Sequence, residues 1–306
     1  MSTSAWIAGS VRARALVRRR IGAAAARRIA AAPTAAAAVH LLADTPYGRD
    51  VHSGQDPDTA ERALTATVLW HLRVLAGWLP PGGVEPLRAL ASWYEVVNID
   101  EHVRRLTGRP TGPPYRLGAL STAWGRVSAT DSLEAVRATL AASSWGDPGA
   151  AQPRDIALGI RIGWAERVVR VVPAAEAWVA GAVALLAARE AVAGSVLPAA
   201  LIRRLEALLG KGTTPTGPVG ALVAALPARG AWVFADGPEP DRWWRAEARW
   251  WHRIERDGLA MLTRHRFGLP VVVGATAVLT ADAWRTRAAL VCAARGGQVE
   301  VFDELA

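Results

Sequence analysis

The stretch nearest to a chemical signature in this chain is Gly210-Lys211-Gly212-Thr213-Thr214. A loop of the form G-x-x-x-x-G-K followed by Ser or Thr cradles phosphates, because its backbone N–H groups and its lysine converge on them. Here Leu205 stands where the first glycine belongs, and Gly212 where the hydroxyl belongs. The segment therefore reads as a linker. The six histidines (His40, His52, His71, His102, His252 and His265) make no pair at three- or four-residue spacing, and none sits in H-E-x-x-H, so no local zinc site is expected. Neither G-x-S-x-G nor G-x-G-x-x-G occurs. Cys292, the single cysteine, lies in an Ala-rich helical pattern and reads as a small core residue. It rules out an intrachain disulfide. Asp241, in the Pro-broken run 235–242, reads as a helix cap. No catalytic residue, cofactor site or metal site is expected.

Two segments carry aromatic and polar groups at telling spacing. Trp243, Trp244, Trp250 and Trp251 interleave with Glu247 and Glu255. Stacking on nucleic-acid bases is one reading. The seven-residue rows Trp243–Trp250 and Trp244–Trp251 favour the other, a packing seam in a core or between protein subunits. In "WYEVVNIDEHVRRLTG" (93–108), Asn98 sits mid-helix, where it is disfavoured unless its side chain finds a partner. Another helix or Arg104 would serve.

The net charge of +9 is concentrated. Arg12, Arg14, Arg18, Arg19, Arg20, Arg27 and Arg28 all precede the first carboxylate, Asp44. Such an arm suits nucleic acid or an anionic membrane. However, Arg12 and Arg14 point nearly opposite ways on a helical wheel, leaving no clean apolar face. A solvated helix, or one facing an acidic protein, is the favoured reading, with Arg12, Arg19, Arg20 and Arg27 as candidate interface residues.

The elements that must position these groups are helices. Ala and Leu dominate, and two-residue alternation is nearly absent, which predicts an all-α chain. Caps and periodicity predict helices near 59–78 (opening at Asp58), 84–107, 132–142 (capped by Asp131), 155–171, 174–193, 198–209, 241–266 and 281–294. "VVVGATAVL" (271–279) is the one candidate for extended chain, with a buried loop or a helix start as equal alternatives. No apolar run reaches the length of about 18 residues needed to span a membrane. No secretory signal is visible, and a cytoplasmic location is expected.

The chain also repeats itself. Sliding the sequence by 98 residues lays Arg28-Ile29 over Arg126-Val127, Thr34 over Ser132, and Tyr47-Gly48 over Trp145-Gly146. Each copy reads as a basic helix end, a cap, a second helix, and an aromatic-Gly turn. Gly/Pro-rich stretches at 108–115 and 210–218 predict three helical domains, 1–110, 111–212 and 213–306, the last divergent.

These motifs together resemble the central-stalk C protein of the V/A-type ATPases, whose eukaryotic V-ATPase counterpart is designated d. That family shows an aromatic/acidic helix entering an Asn-Leu-x-x-x-x-Arg phrase, a Gly-rich break, Gly-x-Leu, and a helix pair ending in a Tyr-Gly-like turn. Asn98 and Arg104 match the phrase, with Trp93 and Tyr94 ahead of it; Gly118–Leu120 and the two aromatic-Gly turns match the rest. The resemblance covers about residues 10–175. It implies three similar helical domains about a pseudo-threefold axis, shaped as a funnel. It also implies a non-catalytic rotor component on the cytoplasmic face of the membrane. Its partners would be the proteolipid ring and the D and F proteins of the central shaft, for torque transmission and ion transport. The alternative is a basic helical-repeat scaffold for nucleic acid or an acidic protein.

Overall fold

The computed structural model describes residues 3–194, 196–296 and 299–305. Among these residues every regular element is helical. The chain opens with α1 (Ile7–Val17), α2 (Gly22–Ala30), α3 (Ala35–Ala43), α4 (Pro57–Ala76) and α5 (Pro81–Ala91). It continues through α6 (Trp93–Leu106), α7 (Trp124–Val127), α8 (Leu133–Ala141), α9 (Pro153–Val171) and α10 (Glu176–Ala193). The remainder comprises α11 (Ala199–Leu209), α12 (Val219–Ala225), α13 (Ala228–Ala231), α14 (Trp243–Arg264), α15 (Leu269–Ala294) and α16 (Val299–Leu305). No helix among the described residues is long and apolar enough to cross a membrane.

Two compact units result. The first joins residues 1–87 to 251–306, and the second is 88–250. Both Gly/Pro stretches, 108–115 and 210–218, lie inside the second unit.

At the centre of the first unit is α15, packed by α1, α2, α3, α4 and α16. It is buried from Val271 to Leu279 without a break. A helix covered on all sides has no polar stripe, so its sequence carries no 3.6-residue signature. That is why the sequence leaves 271–279 open between extended chain, loop and helix start although it is helical, and why α15 begins at Leu269 rather than near 281. Its Gly274 meets Gly258 of α14 so closely that a Cβ on Gly274 would lie 2.6 Å from the Gly258 carbonyl oxygen.

The second unit has two centres. Around α6 lie α7, α8 and α9; around α10 lie α9, α11, α12 and α13. Val96, Ile99 and Val103 of α6 share one core with Val127, Val136, Leu140, Trp145, Ile156 and Ile160.

Three local expectations are corrected. The caps are Asp56, which accepts from Thr59 N, and Ser132, which accepts from Ala135 N, rather than Asp58 and Asp131. The span 84–107 is two helices meeting at Ser92, whose hydroxyl bonds the Ala89 carbonyl instead of capping α6. The Arg-rich start is also two helices, broken at 18–21 before Gly22, whose φ of +74° suits glycine.

Candidate functional site

The 98-residue repeat is present in the backbone itself. Helices α3 and α8 begin and end at equivalent positions, since 35 + 98 = 133 and 43 + 98 = 141. Thr34 and Ser132 cap them with φ/ψ of −146°/157° and −144°/159°. After each helix a hydroxyl turns back on the chain. Thr45 Oγ1 donates to the Leu42 carbonyl at 2.6 Å, and Ser143 Oγ to the Leu140 carbonyl at 2.7 Å. Each then accepts from the N–H of the turn aromatic, Tyr47 or Trp145, at 3.2 Å. The buried pairs also correspond: Ala38 with Val136, Leu42 with Leu140, Tyr47 with Trp145.

The glycines that follow differ. Gly146 takes φ +77°, whereas Gly48 lies in a 3-10 turn outside the left-handed region. What requires glycine at 48 is space, because a Cβ there would fall 1.9 Å from the Ala43 carbonyl oxygen.

Each copy is pinned by a buried carboxylate from a central helix. In the first unit Asp282 of α15, 1% exposed, receives Ile21 N and Gly22 N at 3.1 and 2.8 Å. Those are free N–H groups at the start of α2, where the helix dipole also favours negative charge. The Tyr47 hydroxyl donates to the same carboxylate at 2.9 Å. Burial pushes the Asp282 carboxyl above its usual range, although the three donors oppose the shift. In the second unit Glu95 of α6, fully buried, accepts Thr122 N, Ala123 N and Trp124 N at 2.9, 2.5 and 2.6 Å. These N–H groups open α7. Thr122 Oγ1 donates to Glu95 at 2.6 Å and accepts from Trp145 Nε1 at 3.2 Å, so the turn aromatic again reaches the carboxylate, through one hydroxyl. Arg167 donates to that hydroxyl and lies over the Trp145 ring.

Sequence reasoning missed both carboxylates. The available signal was Asp282 as the lone acid in a 26-residue, otherwise acid-free helix. Around α10 the pattern changes, for its buried residues are all apolar or glycine.

Asn98 is buried and partnered, but not by another helix or by Arg104. It grips the linker: its Nδ2 donates to the Tyr115 carbonyl at 2.9 Å and its Oδ1 accepts Tyr115 N at 2.7 Å. Arg104 is exposed on α6.

The candidate interface arginines fare differently from one another. Arg27 is paired through two bonds with Asp303. Arg20 folds back on the Val17 carbonyl. Arg12 is half-buried, and Arg19 is exposed. Arg19, Arg49 and Arg12 stand near His71, where burial first and these charges second bring the imidazole down to about 4. Three of the four tryptophans pack within the fold: Trp250 Nε1 donates to the Trp178 carbonyl, Trp243 Nε1 to the Pro238 carbonyl, and Trp251 stacks on Trp284, whereas Trp244 is 38% exposed with the Arg245 guanidinium over its ring. Glu247 pairs with Arg189, and Glu255 with Arg285.

Chemically, Asp282 and Glu95 each hold a helix start in place, with their lone pairs occupied by donors from neighbouring backbone. Among the described residues no three His, Cys, Asp or Glu side chains gather as a metal site. The chain matches no protein-family model and no curated protein.

Proposed function

We propose that this chain is a non-catalytic coupling component of a rotary ATPase, in the manner of the C protein of the V/A-type enzymes, joining a central shaft to a membrane proteolipid ring. One observation carries the reading. A capped helix and aromatic turn occur twice, 98 residues apart, and each is locked to a central helix by a buried carboxylate. Asn98 supports the same reading, since it ties the family-like helix to the Gly/Pro linker that follows it.

The mechanics follow from the interior. A part that transmits torque must not yield, and close-packed cores have low compressibility. Charged hydrogen bonds at helix starts resist sliding of one helix along another, because any slip strands buried donors.

The test is co-expression of the tagged full chain with the D and F shaft proteins and the proteolipid ring. Recovery of one complex containing all of them is expected. Recovery of the chain alone, together with DNA retention that falls steeply with salt, would overturn the proposal in favour of a nucleic-acid scaffold.

A further inference from the structure

The outward face of α1 is apolar, contrary to what the wheel of its arginines suggests. Arg14 is drawn away from that face, donating to the Leu262 carbonyl at 2.7 Å and the His265 carbonyl at 2.5 Å. Arg12 is half-buried, with its Nε shielded from solvent. The inner face (Gly9, Ser10, Ala13, Leu16 and Val17) is buried. What remains outside is Ile7, Ala8, Val11 and Ala15, with Ile7 43% and Val11 57% exposed. Ile7, Val11 and Ala15 follow four-residue spacing and so form one stripe. Trp78, 52% exposed, belongs to the turn on which Gly9 rests, its carbonyl oxygen 2.9 Å from where a Gly9 Cβ would be.

The stripe ends in a run of arginines. Arg18, Arg19 and Arg20 follow α1 directly and are all exposed. Arg18 falls on the line of Ile7 and Val11, and no carboxylate occurs in the first 43 residues. Apolar side chains ending in a run of arginines are the features by which an interfacial helix binds a negatively charged bilayer. The apolar part enters the headgroup boundary, and the cations meet the lipid phosphates.

We infer that α1 is a peripheral docking face for an anionic lipid surface, with Ile7 and Val11 entering the interface and Arg18, Arg19 and Arg20 contacting headgroups. This contact needs neither ring nor shaft proteins, so it stands or falls separately from the coupling role.

The test is co-sedimentation of the purified full chain with vesicles of phosphatidylcholine alone and of phosphatidylcholine mixed with phosphatidylglycerol. Binding is expected only to the mixed vesicles, weakening as salt rises. Neutralising Arg18, Arg19 and Arg20 to Gln should weaken it roughly 100-fold, at about five-fold per arginine. The pair Ile7→Ser and Val11→Ser should weaken it on the order of ten-fold. All these positions are exposed, so unchanged thermal melting will separate lost binding from lost fold. Equal binding to both vesicle types, binding to neither, or binding indifferent to Ile7→Ser/Val11→Ser would each overturn the inference. So would lipid-free dimerisation abolished by the same pair, which would make α1 a contact between copies.

Discussion

Glu95 in one unit and Asp282 in the other do the same job with different reach. The glutamate takes three backbone N–H groups and a hydroxyl, and it meets its turn aromatic through Thr122. The shorter aspartate takes two N–H groups and a direct bond from the Tyr47 hydroxyl. Tyrosine carries its donor at the end of the ring and can reach a carboxylate unaided, whereas the Trp145 indole N–H stops short and needs a relay. The carboxylate, the helix start and the aromatic are therefore one assembly, and a change in one member is accommodated by the others. The second unit concentrates more charge-assisted bonds on a single side chain, and so it should be the more easily broken.

The strongest way to break the comparison is Glu95→Ala. It leaves three buried N–H groups without an acceptor and should cost about 3–5 kcal/mol. Asp282→Ala, with two such groups, should cost about 2–3 kcal/mol. Chemical denaturation of both variants checks the order; equal losses would show that the anchors are not graded by donor number. Next in size is Trp145→Ala, at about 3 kcal/mol or more for an almost fully buried ring, against about 1 kcal/mol for Tyr47→Phe, which loses one hydroxyl. Thermal melts of the two should differ clearly. Asn98→Ala leaves the Tyr115 N–H and carbonyl unmatched and should cost about 2 kcal/mol, with faster hydrogen exchange at Tyr115 as its local signature.

The glycines sharpen the contrast further. Gly48→Ala meets a backbone oxygen and should destabilise by about 2–3 kcal/mol. Gly146→Ala is limited by φ and should cost only about 1–2 kcal/mol. The reverse order in equilibrium unfolding would mean that the turn around Gly48 gives way easily.

The smallest effect is with pH, and its sign differs between the units. The raised Asp282 carboxyl means that the folded chain holds this proton more tightly than the unfolded chain. Its contribution is thus present in acid and lost as pH rises through the raised value. Asp147 is pulled down to about 2 by Arg137 and the Gly149 N–H, so its contribution is present at neutral pH and lost as pH falls towards 2. Melting of Asp282→Asn and Asp147→Asn against the parent across acid pH should show differences that run in opposite directions.

Much of this was legible in the sequence because it is local. Thr34 and the aromatic-Gly turns act within a few residues, so the repeat and most helices could be placed from spacing. What escaped was held from a distance. Asp282 serves groups 235 to 261 residues away, and no local pattern encodes that. The partner of Asn98 escaped for a subtler reason: it is linker backbone, and backbone is the same whatever the residue. The helix at 271–279 was hidden by complete burial, which removes the polar half of the pattern that reveals a helix.

The central place of α15 has a consequence for synthesis. Four helices that surround it, α1 to α4, leave the ribosome nearly 200 residues ahead of it, since 269 − 76 = 193. At about 5–20 residues per second, their apolar sides wait on the order of ten seconds or more for the helix that covers them. The second unit is an uninterrupted stretch and can close during that interval. Nascent chains halted before Leu269 should therefore engage chaperones through their first 76 residues, and release of the finished chain should end that engagement.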